Sequence, residues 1–281
     1  MGEGAEHNRL QGKMELSNLS LMNTDRENMI KNKDVFDKLI HEAWAQEFSG
    51  WDFSYIARRM LQNEPSWDYR QLVLEKIKSA HSLLDLDTGG GEFLASLQPL
   101  PEQTFATEAY APNVPVARAR LEALGVQVRD TSAAGALPFG DNFFDLVTNR
   151  HGDINAPEIF RILKPGKHFV TQQVGDRNNI RLNGMLQGTA EFRDSEWNLN
   201  VITRQLEASG FRIIDGREEF PTVEFKDIGA VVYYLKAIPW QVDDFSIEKY
   251  YDQLGNIHNF IEESGKFESL HHRFYIEAQK R

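Results

Sequence analysis

The hydrophobic pattern of the chain changes character near residue 82. Before that point, apolar residues recur at helical spacing, which favours helices over residues 34–48, 55–61 and 67–80. Ser66 is the predicted N-cap of the last helix, because its hydroxyl can accept a hydrogen bond from a free backbone N–H. The first third of the chain is therefore predicted to be helical and to contain no strands.

Beyond that point, short apolar runs alternate with amphipathic segments. This alternation, with short connections, is typical of a parallel α/β sheet whose crossovers are right-handed. The predicted strands are 82–86, 104–108, 126–129, 144–149, 168–173, 211–214 (or on to 225) and 273–278. The predicted helices are 93–97, 114–124, 156–163, 201–209, 228–237 and 247–263. The fold class predicted from the pattern is α/β.

The same pattern predicts a domain organisation. The polar residues 1–30 are expected to form a flexible leader. Residues 31–80 are predicted to be an N-terminal helical cap, and residues 81–281 a single catalytic domain. The polar stretch 176–197 is too long for a turn, so it is expected to act as a lid or to carry a small helix. We expect the cap and this stretch to cover the carboxyl edge of the sheet.

A glycine cluster follows the first predicted strand, in the segment LLDLDTGGGEFL that begins at Leu83. Glycine permits positive φ and lets a ligand approach the backbone, and the following helix N-terminus favours an anion. Glu108 lies 17 residues beyond Gly91, at the end of the second predicted strand. A carboxylate there can accept hydrogen bonds from both hydroxyls of a ribose. These features predict a dinucleotide or adenosyl ligand; a plain tight turn and a solvent-facing glutamate are the simpler alternatives.

The spacing of the glycines separates the two ligand classes. A dinucleotide fingerprint G-x-G-x-x-G needs glycine or alanine three residues after Gly91, and this chain has Leu94 there. An adenosyl ligand is therefore favoured. A nicotinamide-dependent oxidoreductase on a similar sheet is the alternative enzyme.

Four segments, in chain order, resemble motifs of the class I S-adenosylmethionine-dependent methyltransferases, in a form similar to their type 11 members. The strand and glycine turn resemble motif I, and Ala106-Thr107-Glu108 resembles the ribose-binding acid motif. The other two are LPF with FFDLV (137–147) and EIFRILKPG (158–166). The resemblance covers about residues 70–175. It implies a Rossmann-like sheet of seven mostly parallel strands, with helices on both faces, the last strand inserted antiparallel, and S-adenosyl-L-methionine as cofactor.

The resemblance also implies a set of cofactor-binding residues. Asp85, Gly89 and Gly91 are expected on the methionine side and Glu108 at the ribose. Ala109 or Tyr110 and Ser132 are expected beside adenine, and Asn149 lies at the end of the fourth strand. Two departures accompany the match: Asp87 stands where the family has its first glycine, and Ser132-Ala133-Ala134 replace the acid often found before LPF.

Methyl transfer requires mainly that the acceptor be aligned with the methyl group. A catalytic base is needed only where the acceptor atom is protonated. His151 is the candidate catalytic base because it follows the fourth predicted strand at the carboxyl edge; a loop histidine bonded to backbone is the alternative. Arg150 could bind an acidic acceptor group or pair with a surface carboxylate. One of Gln172 and Gln173 is expected to face the site, since side chains alternate along a strand.

Four aromatic residues of the predicted cap allow two interpretations. They could form a roof over the acceptor or contact the sulfonium by cation–π interaction, and core packing is the alternative. They are Trp51, Phe53, Tyr55 and Trp67.

The amino-acid composition excludes or disfavours several classes of binding partner and metal site. The chain has 42 acidic and 31 basic residues, a net charge of −11, which disfavours general binding to nucleic acids or anionic membranes. It has no cysteine, so thiolate metal sites and cysteine nucleophiles are excluded. His271 and His272 are adjacent on a predicted strand, so they are expected to face opposite ways and not to share a metal. No metal site is expected.

The chain shows no signal-peptide pattern and no apolar run of roughly 20 residues, the length that a membrane helix needs. We therefore expect a cytoplasmic enzyme that methylates a small molecule. A non-catalytic adenosyl-binding protein is the second alternative, and the sequence leaves the oligomeric state open.

Overall fold

The computed structural model describes residues 30–48, 53–132, 136–188 and 196–281. Ten strands are numbered along this part of the chain. They are β1 (Met60–Gln62), β2 (Ser82–Leu86), β3 (Gln103–Glu108), β4 (Gln127–Asp130), β5 (Phe144–Arg150), β6 (Leu163–Val174), β7 (Phe211–Glu219), β8 (Thr222–Phe225), β9 (Phe267–Leu270) and β10 (Arg273–Lys280). Nine α-helices are numbered in the same way over the described residues. They are α1 (Lys33–Ala45), α2 (Tyr69–Ile77), α3 (Glu92–Ala95), α4 (Val114–Leu121), α5 (Ala156–Ile162), α6 (Ile180–Gln187), α7 (Leu199–Ala208), α8 (Ile228–Ala237) and α9 (Tyr251–Ser264).

The chain divides into two compact units. Unit 1 draws its described residues from the segments 1–62, 180–191 and 222–269, and unit 2 from 63–179, 192–221 and 270–281. This division differs from the predicted boundary at residue 81, because α2 belongs to unit 2 while α8 and α9 belong to unit 1. The predicted leader lies outside the described residues except for its last position.

Unit 2 is built on a seven-stranded sheet of order β4-β3-β2-β5-β6-β10-β7. The five strands from β4 to β6 are parallel, and β10 lies antiparallel between β6 and β7. The predicted α/β class, the seven strands and the antiparallel insertion of the last strand are confirmed. In this order the carboxyl ends of β2, β3, β5 and β6 meet at one edge, together with the start of β10.

Side-chain alternation along the central strands supplies a core on each face of this sheet. Leu83 packs with α2, α3 and α4, whereas its neighbour Leu84 packs on the opposite face with α5 and α7. All five residues of β2 are buried, as expected of a central parallel strand covered on both sides. The helices on both faces agree with the predicted Rossmann-like arrangement.

Unit 1 has a three-stranded sheet of order β1-β8-β9 and its own core. Helix α8 is apolar around nearly its whole circumference, and almost all of its residues are buried. Helices α1 and α9 and the aromatic residues of segment 53–55 pack around it; the Tyr55 and Tyr233 rings lie 4.8 Å apart. An apolar helix of this kind requires surrounding partners, which is why residues distant in sequence join it.

Three local predictions in the first third of the chain are wrong: the helix over residues 55–61, the absence of strands and the cap at Ser66. Residues 55–61 do not form an α-helix: a single 3-10 turn leads into β1, which pairs with β8. The cap of α2 is Asp68, whose carboxylate accepts from Gln71 N–H. Ser66 instead donates to Glu219, because the chain approaching α2 runs beside β7. The pairing of β1 and the hydrogen bond of Ser66 thus involve partners more than 150 residues away, whereas the cap of α2 is local.

The polar stretch 176–197 carries the small helix α6, and residues 189–195 lie outside the described part. Its role as a lid stays a prediction. Within the residues that the structure describes, no helix has the length and apolar character needed to cross a membrane.

Candidate functional site

The glycine cluster forms the turn between β2 and α3. Gly89 and Gly91 have φ of 63° and 79°, the left-handed region that glycine adopts without steric cost. Gly91 N–H donates to Thr88 O at 3.0 Å, and Thr88 N–H donates to Thr107 O on β3 at 2.9 Å. The turn is thus fixed against the neighbouring strand.

Glu108, the predicted ribose-binding acid, lies at the end of β3 and holds this turn. Its Oε2 accepts from Gly89 N–H at 2.6 Å and its Oε1 from Tyr110 N–H at 2.7 Å. The residue is only 4% exposed, so the solvent-facing alternative is wrong. Each carboxylate oxygen has a second lone pair, which leaves Glu108 able to accept a further hydrogen bond.

Asp85 is the buried acid beneath the turn and is 3% exposed. Its two oxygens accept from the hydroxyls of Thr88 and Thr148, each at 2.7 Å. Burial raises the pKa of Asp85 to about 6, although both hydrogen bonds act in the opposite direction. Asp85 thereby ties the turn to β5.

Asp87, the departure from the family pattern, adopts φ of 53°. Aspartate and asparagine are the non-glycine residues that tolerate this region best, so the chain keeps a left-handed turn residue here. Burial, followed by the charges of Glu108 and Asp153, raises the pKa of Asp87 to about 6. A Cβ on Gly152 would lie 2.6 Å from Asp87 Oδ2, so this carboxylate lies against the loop after β5.

Asn149 lies at the predicted edge but is fully buried and engaged with protein partners. Its Nδ2 donates to Leu86 O at 3.3 Å, and its Oδ1 accepts from Gln173 Nε2 and Thr171 Oγ1. In this arrangement Asn149 connects β2, β5 and β6. A direct contact with the cofactor stays a prediction.

The predicted neighbours of adenine are exposed residues that follow β3 and β4. Ala109 and Ser132 are exposed, and Tyr110 is 64% exposed. Ser132 Oγ donates to Asp130 Oδ1 at 2.6 Å, just beyond β4. Ala133 and Ala134 lie outside the described residues.

His151 follows β5 with φ of 64°, and its N–H donates to Gln172 O at 3.0 Å. His151 is exposed, and the protein around it desolvates the imidazole. This desolvation, followed by the charges of Arg150 and Arg273, lowers the pKa of the imidazole to about 3. The ring is therefore neutral near pH 7 but a weak base, which favours a role in orienting the acceptor over proton removal.

We expect the His151 ring to stay neutral as the pH falls from 8 to 5, instead of titrating near the ordinary value of about 6.5. Proton NMR of the imidazole during a pH titration checks this, with His151→Asn used to assign the signal. Asparagine is the suitable replacement because it tolerates positive φ. A midpoint near 6.5 for the assigned signal would restore His151 as an ordinary base.

The two glutamines and the cap aromatics occupy different surroundings. Gln172 Oε1 accepts from Trp67 Nε1 at 2.8 Å, whereas Gln173 donates to Asn149, so the pair faces opposite ways as expected. Trp67 packs in the core of unit 2, and Phe53 and Tyr55 in that of unit 1. Core packing, the simpler alternative, thus holds for these three; Trp51 lies outside the described residues.

The two adjacent histidines also have separate partners. His272 Nε2 contacts Glu218 at 3.0 Å, while His271 Nδ1 contacts Arg273 at 3.1 Å. Over the described ranges, no group of three or more histidine and carboxylate side chains is placed to hold a metal ion.

Comparison with protein families finds a match over the segment that carries this site. A family model described as a methyltransferase domain matches residues 84–171, which run from β2 to β6 and include the glycine turn, Glu108 and His151. The chain carries a methyltransferase domain over these residues. The four motifs found in the sequence lie within or next to the matched range.

Solved structures share the fold of this chain. A candidate methyltransferase of Bacillus halodurans C-125 is 18% identical, with a TM-score of 0.55 over 76% of this chain and 98% of that one. The YcgJ protein of Bacillus subtilis is 16% identical, with a TM-score of 0.53 and coverages of 76% and 98%. A protein of unknown function from Deinococcus radiodurans R1 is 15% identical, with a TM-score of 0.53 and coverages of 82% and 99%. A search of curated proteins finds no match.

Sequence reasoning missed several residues of the candidate site. Thr88 and Thr148 bind Asp85, and Asp153 lies beside Asp87. The Gly152-Asp153 pair directly after β5 was a usable signal, because a glycine at a strand end marks close approach of another segment. No signal in the sequence pointed to Arg273, which β10 brings to this edge.

Proposed function

We propose that the protein transfers a methyl group from S-adenosyl-L-methionine to a small-molecule acceptor. The supporting observation is the concentration of carboxylates around the glycine turn. Asp85, Asp87 and Glu108 lie along it, and their mutual repulsion contributes to the raised pKa of Asp87. Such a site favours a cationic ligand.

The same observation separates the two candidate cofactors. Glu92 at the start of α3 is paired with Arg120, so the negative charge of the turn comes from Asp85, Asp87 and Glu108. A nicotinamide dinucleotide would bring its anionic pyrophosphate to this turn, where carboxylates repel it. S-adenosyl-L-methionine would bring a sulfonium and an ammonium group instead, and these are attracted.

The residues present also fit the cofactor sterically. A Cβ on Gly89 would meet no atom within 4 Å, so the backbone of the turn is open to a ligand on that side. Leu94 is fully buried in the core and fills the position at which a dinucleotide fingerprint has its third glycine. Glu108, next to this open backbone, is placed to accept from ribose hydroxyls.

S-adenosyl-L-methionine supplies, when bound, a methyl group activated by a positive sulfur. The chain's own task is then to hold a nucleophile in line with that methyl and to exclude water. His151, neutral and at the carboxyl edge of β5, is placed to accept a hydrogen bond from an acceptor hydroxyl or amine. Arg150, beside it, is placed to bind an anionic part of the acceptor.

Calorimetry of the full chain tests the cofactor. S-adenosyl-L-methionine or S-adenosylhomocysteine should bind, and NAD should bind much more weakly. Preferential binding of NAD would replace the proposal with an oxidoreductase. Adenosyl binding without methyl transfer to any of a broad acceptor panel would favour the non-catalytic alternative.

The raised pKa of Asp87 predicts a pH-dependent preference. A cation binds the ionised carboxylate better, so affinity for S-adenosyl-L-methionine should rise as the pH increases from 5 to 7. The expected gain is up to about tenfold, one pKa unit of coupling. S-adenosylhomocysteine, whose sulfur is uncharged, should show a smaller rise.

The matched variant is Asp87→Asn, which keeps the left-handed turn residue and removes the charge. Calorimetry at pH 5, 6 and 7 should show that the affinity of this variant for S-adenosyl-L-methionine changes less with pH than that of the wild type. Asp85, whose pKa is also about 6, should leave a residual slope. If the affinity of the variant changes with pH as much as that of the wild type, a group other than Asp87 causes the pH dependence.

A further inference from the structure

Arg150, the last residue of β5, is exposed and stacks over the Phe93 ring, with its Cζ 5.1 Å from the ring centroid. In a chain with 42 acidic and 31 basic residues, an arginine is expected to form an ion pair with a carboxylate. Over the described ranges, no carboxylate lies within ion-pair distance of Arg150. Its charge is therefore available to a ligand at the carboxyl edge.

The antiparallel strand β10 brings a second arginine to the same edge. Arg150 is in register with Gln172 on β6, and Gln172 is in register with Tyr275 on β10. Arg273 lies two residues before Tyr275, so it shares their face of the sheet and lies closer to the edge. Strand spacing and rise place the two arginine Cα atoms about 12 Å apart, within the combined reach of the two side chains.

Arg273 is held in place by fixed partners. Its Nη1 donates to Asn178 Oδ1 at 2.8 Å and its Nη2 to His271 Nδ1 at 3.1 Å. Because arginine only donates, Nδ1 of the neutral His271 ring accepts, and the ring proton is on Nε2. That Nε2 is buried and has no hydrogen-bond partner in the described part of the chain. Arg273 is thus preorganised, with a further buried donor on the ring beside it.

We infer that the acceptor carries an anionic oxygen group, a carboxylate or a phosphate, which Arg150 and Arg273 bind together. Two guanidinium groups at one edge match a carboxylate or a phosphate in charge and geometry. The His151 ring beside them is neutral near pH 7. This assignment rests on the proposed function, because it names the class of molecule that receives the methyl group.

The test uses the full chain labelled with ¹⁵N-arginine and follows the side-chain Nε–Hε signals by NMR. Inorganic phosphate and acetate are the anionic probes, and acetamide is the uncharged control. The titrations are made with and without S-adenosylhomocysteine. The signals of Arg150 and Arg273 should shift saturably with one shared dissociation constant for the stronger anion, and acetamide should leave them unchanged. The stronger probe then indicates the class of anion.

Three variants sharpen the result. Arg150→Gln should weaken anion binding about tenfold or more, the loss expected for one charge-assisted contact, and Arg150→Lys should recover part of it. Arg212→Gln is the matched control, since Arg212 is an exposed arginine at the start of β7, at the opposite edge. Thermal unfolding shows whether each variant keeps its fold.

Shifts that grow linearly for all arginines, or equal affinity in Arg150→Gln and Arg212→Gln, would overturn the inference. Failure of the proposed function has a different signature: S-adenosylhomocysteine would produce no heat of binding, while the anion titration could still succeed.

Discussion

Replacing Glu108 with alanine should weaken S-adenosylhomocysteine binding by about a hundredfold, the equivalent of one or two charge-assisted hydrogen bonds. Two causes combine. The variant loses the carboxylate proposed for the ribose, and it also releases the Gly89 and Tyr110 N–H groups that hold the turn in shape. Calorimetry measures the affinity.

Glu108→Gln should fall between the wild type and alanine. A glutamine keeps the shape but has only one acceptor oxygen, so its NH₂ group would face one of the two N–H donors. Glu102→Gln is the control, because Glu102 is exposed and precedes β3 at the opposite edge. Wild-type affinity in Glu108→Ala would show that the acid serves neither the turn nor the ligand.

Alanine substitutions at Gly89 and Gly91 should separate ligand binding from stability. A Cβ on Gly91 would lie 2.7 Å from Leu121 Cγ, and its φ is positive. Left-handed strain and overpacking together should lower the free energy of unfolding by about 3 kcal/mol. A Cβ on Gly89 would meet no atom within 4 Å, so only the left-handed strain should lower the free energy of unfolding there, by about 1–2 kcal/mol. Affinity for S-adenosylhomocysteine should nevertheless fall at least tenfold there, because the methyl group would fill the proposed ligand space.

Gly125→Ala is the matched control for Gly89→Ala. Gly125 has φ of 82° and open surroundings, but it lies between α4 and β4 at the far edge of the sheet. It should show the same loss in thermal unfolding and no loss in calorimetry. Equal binding losses at Gly89 and Gly125 would mean that global destabilisation, and not ligand contact, explains the effect.

The fold of unit 2 was largely predictable because its signals are local. The strands β2 and β5 are short, mostly apolar runs, and β2, β3 and β5 are each followed by a helix; the one after β3 leads to Gly125, a recognisable end. Unit 1 was less predictable, because its central helix α8 collects partners from three separate stretches of chain. The strand β1 exists only because β8, more than 150 residues away, pairs with it. A three-residue segment has no periodicity of its own that could indicate a strand.

The candidate site shows the same limit at the level of single residues. The sequence identified the glycine turn, Glu108 and His151, since these follow strands whose ends meet at one edge. It could not show that Glu108 binds the backbone of Gly89, nor that desolvation by the protein and two arginines keep His151 neutral. Both depend on which groups surround a side chain and on how much water is excluded.

By itself, then, the sequence determined the α/β class, the glycine turn, the acid after the second strand of the parallel sheet and the family resemblance. These are encoded in windows of a few residues, where backbone preference and apolar periodicity act. Only the tertiary structure decided the composition of the two units, the raised pKa of Asp87 and the placement of Arg273 near Arg150. Those features arise when segments far apart in the chain pack together, since desolvation and Coulomb interactions depend on distance in space and not on separation along the sequence.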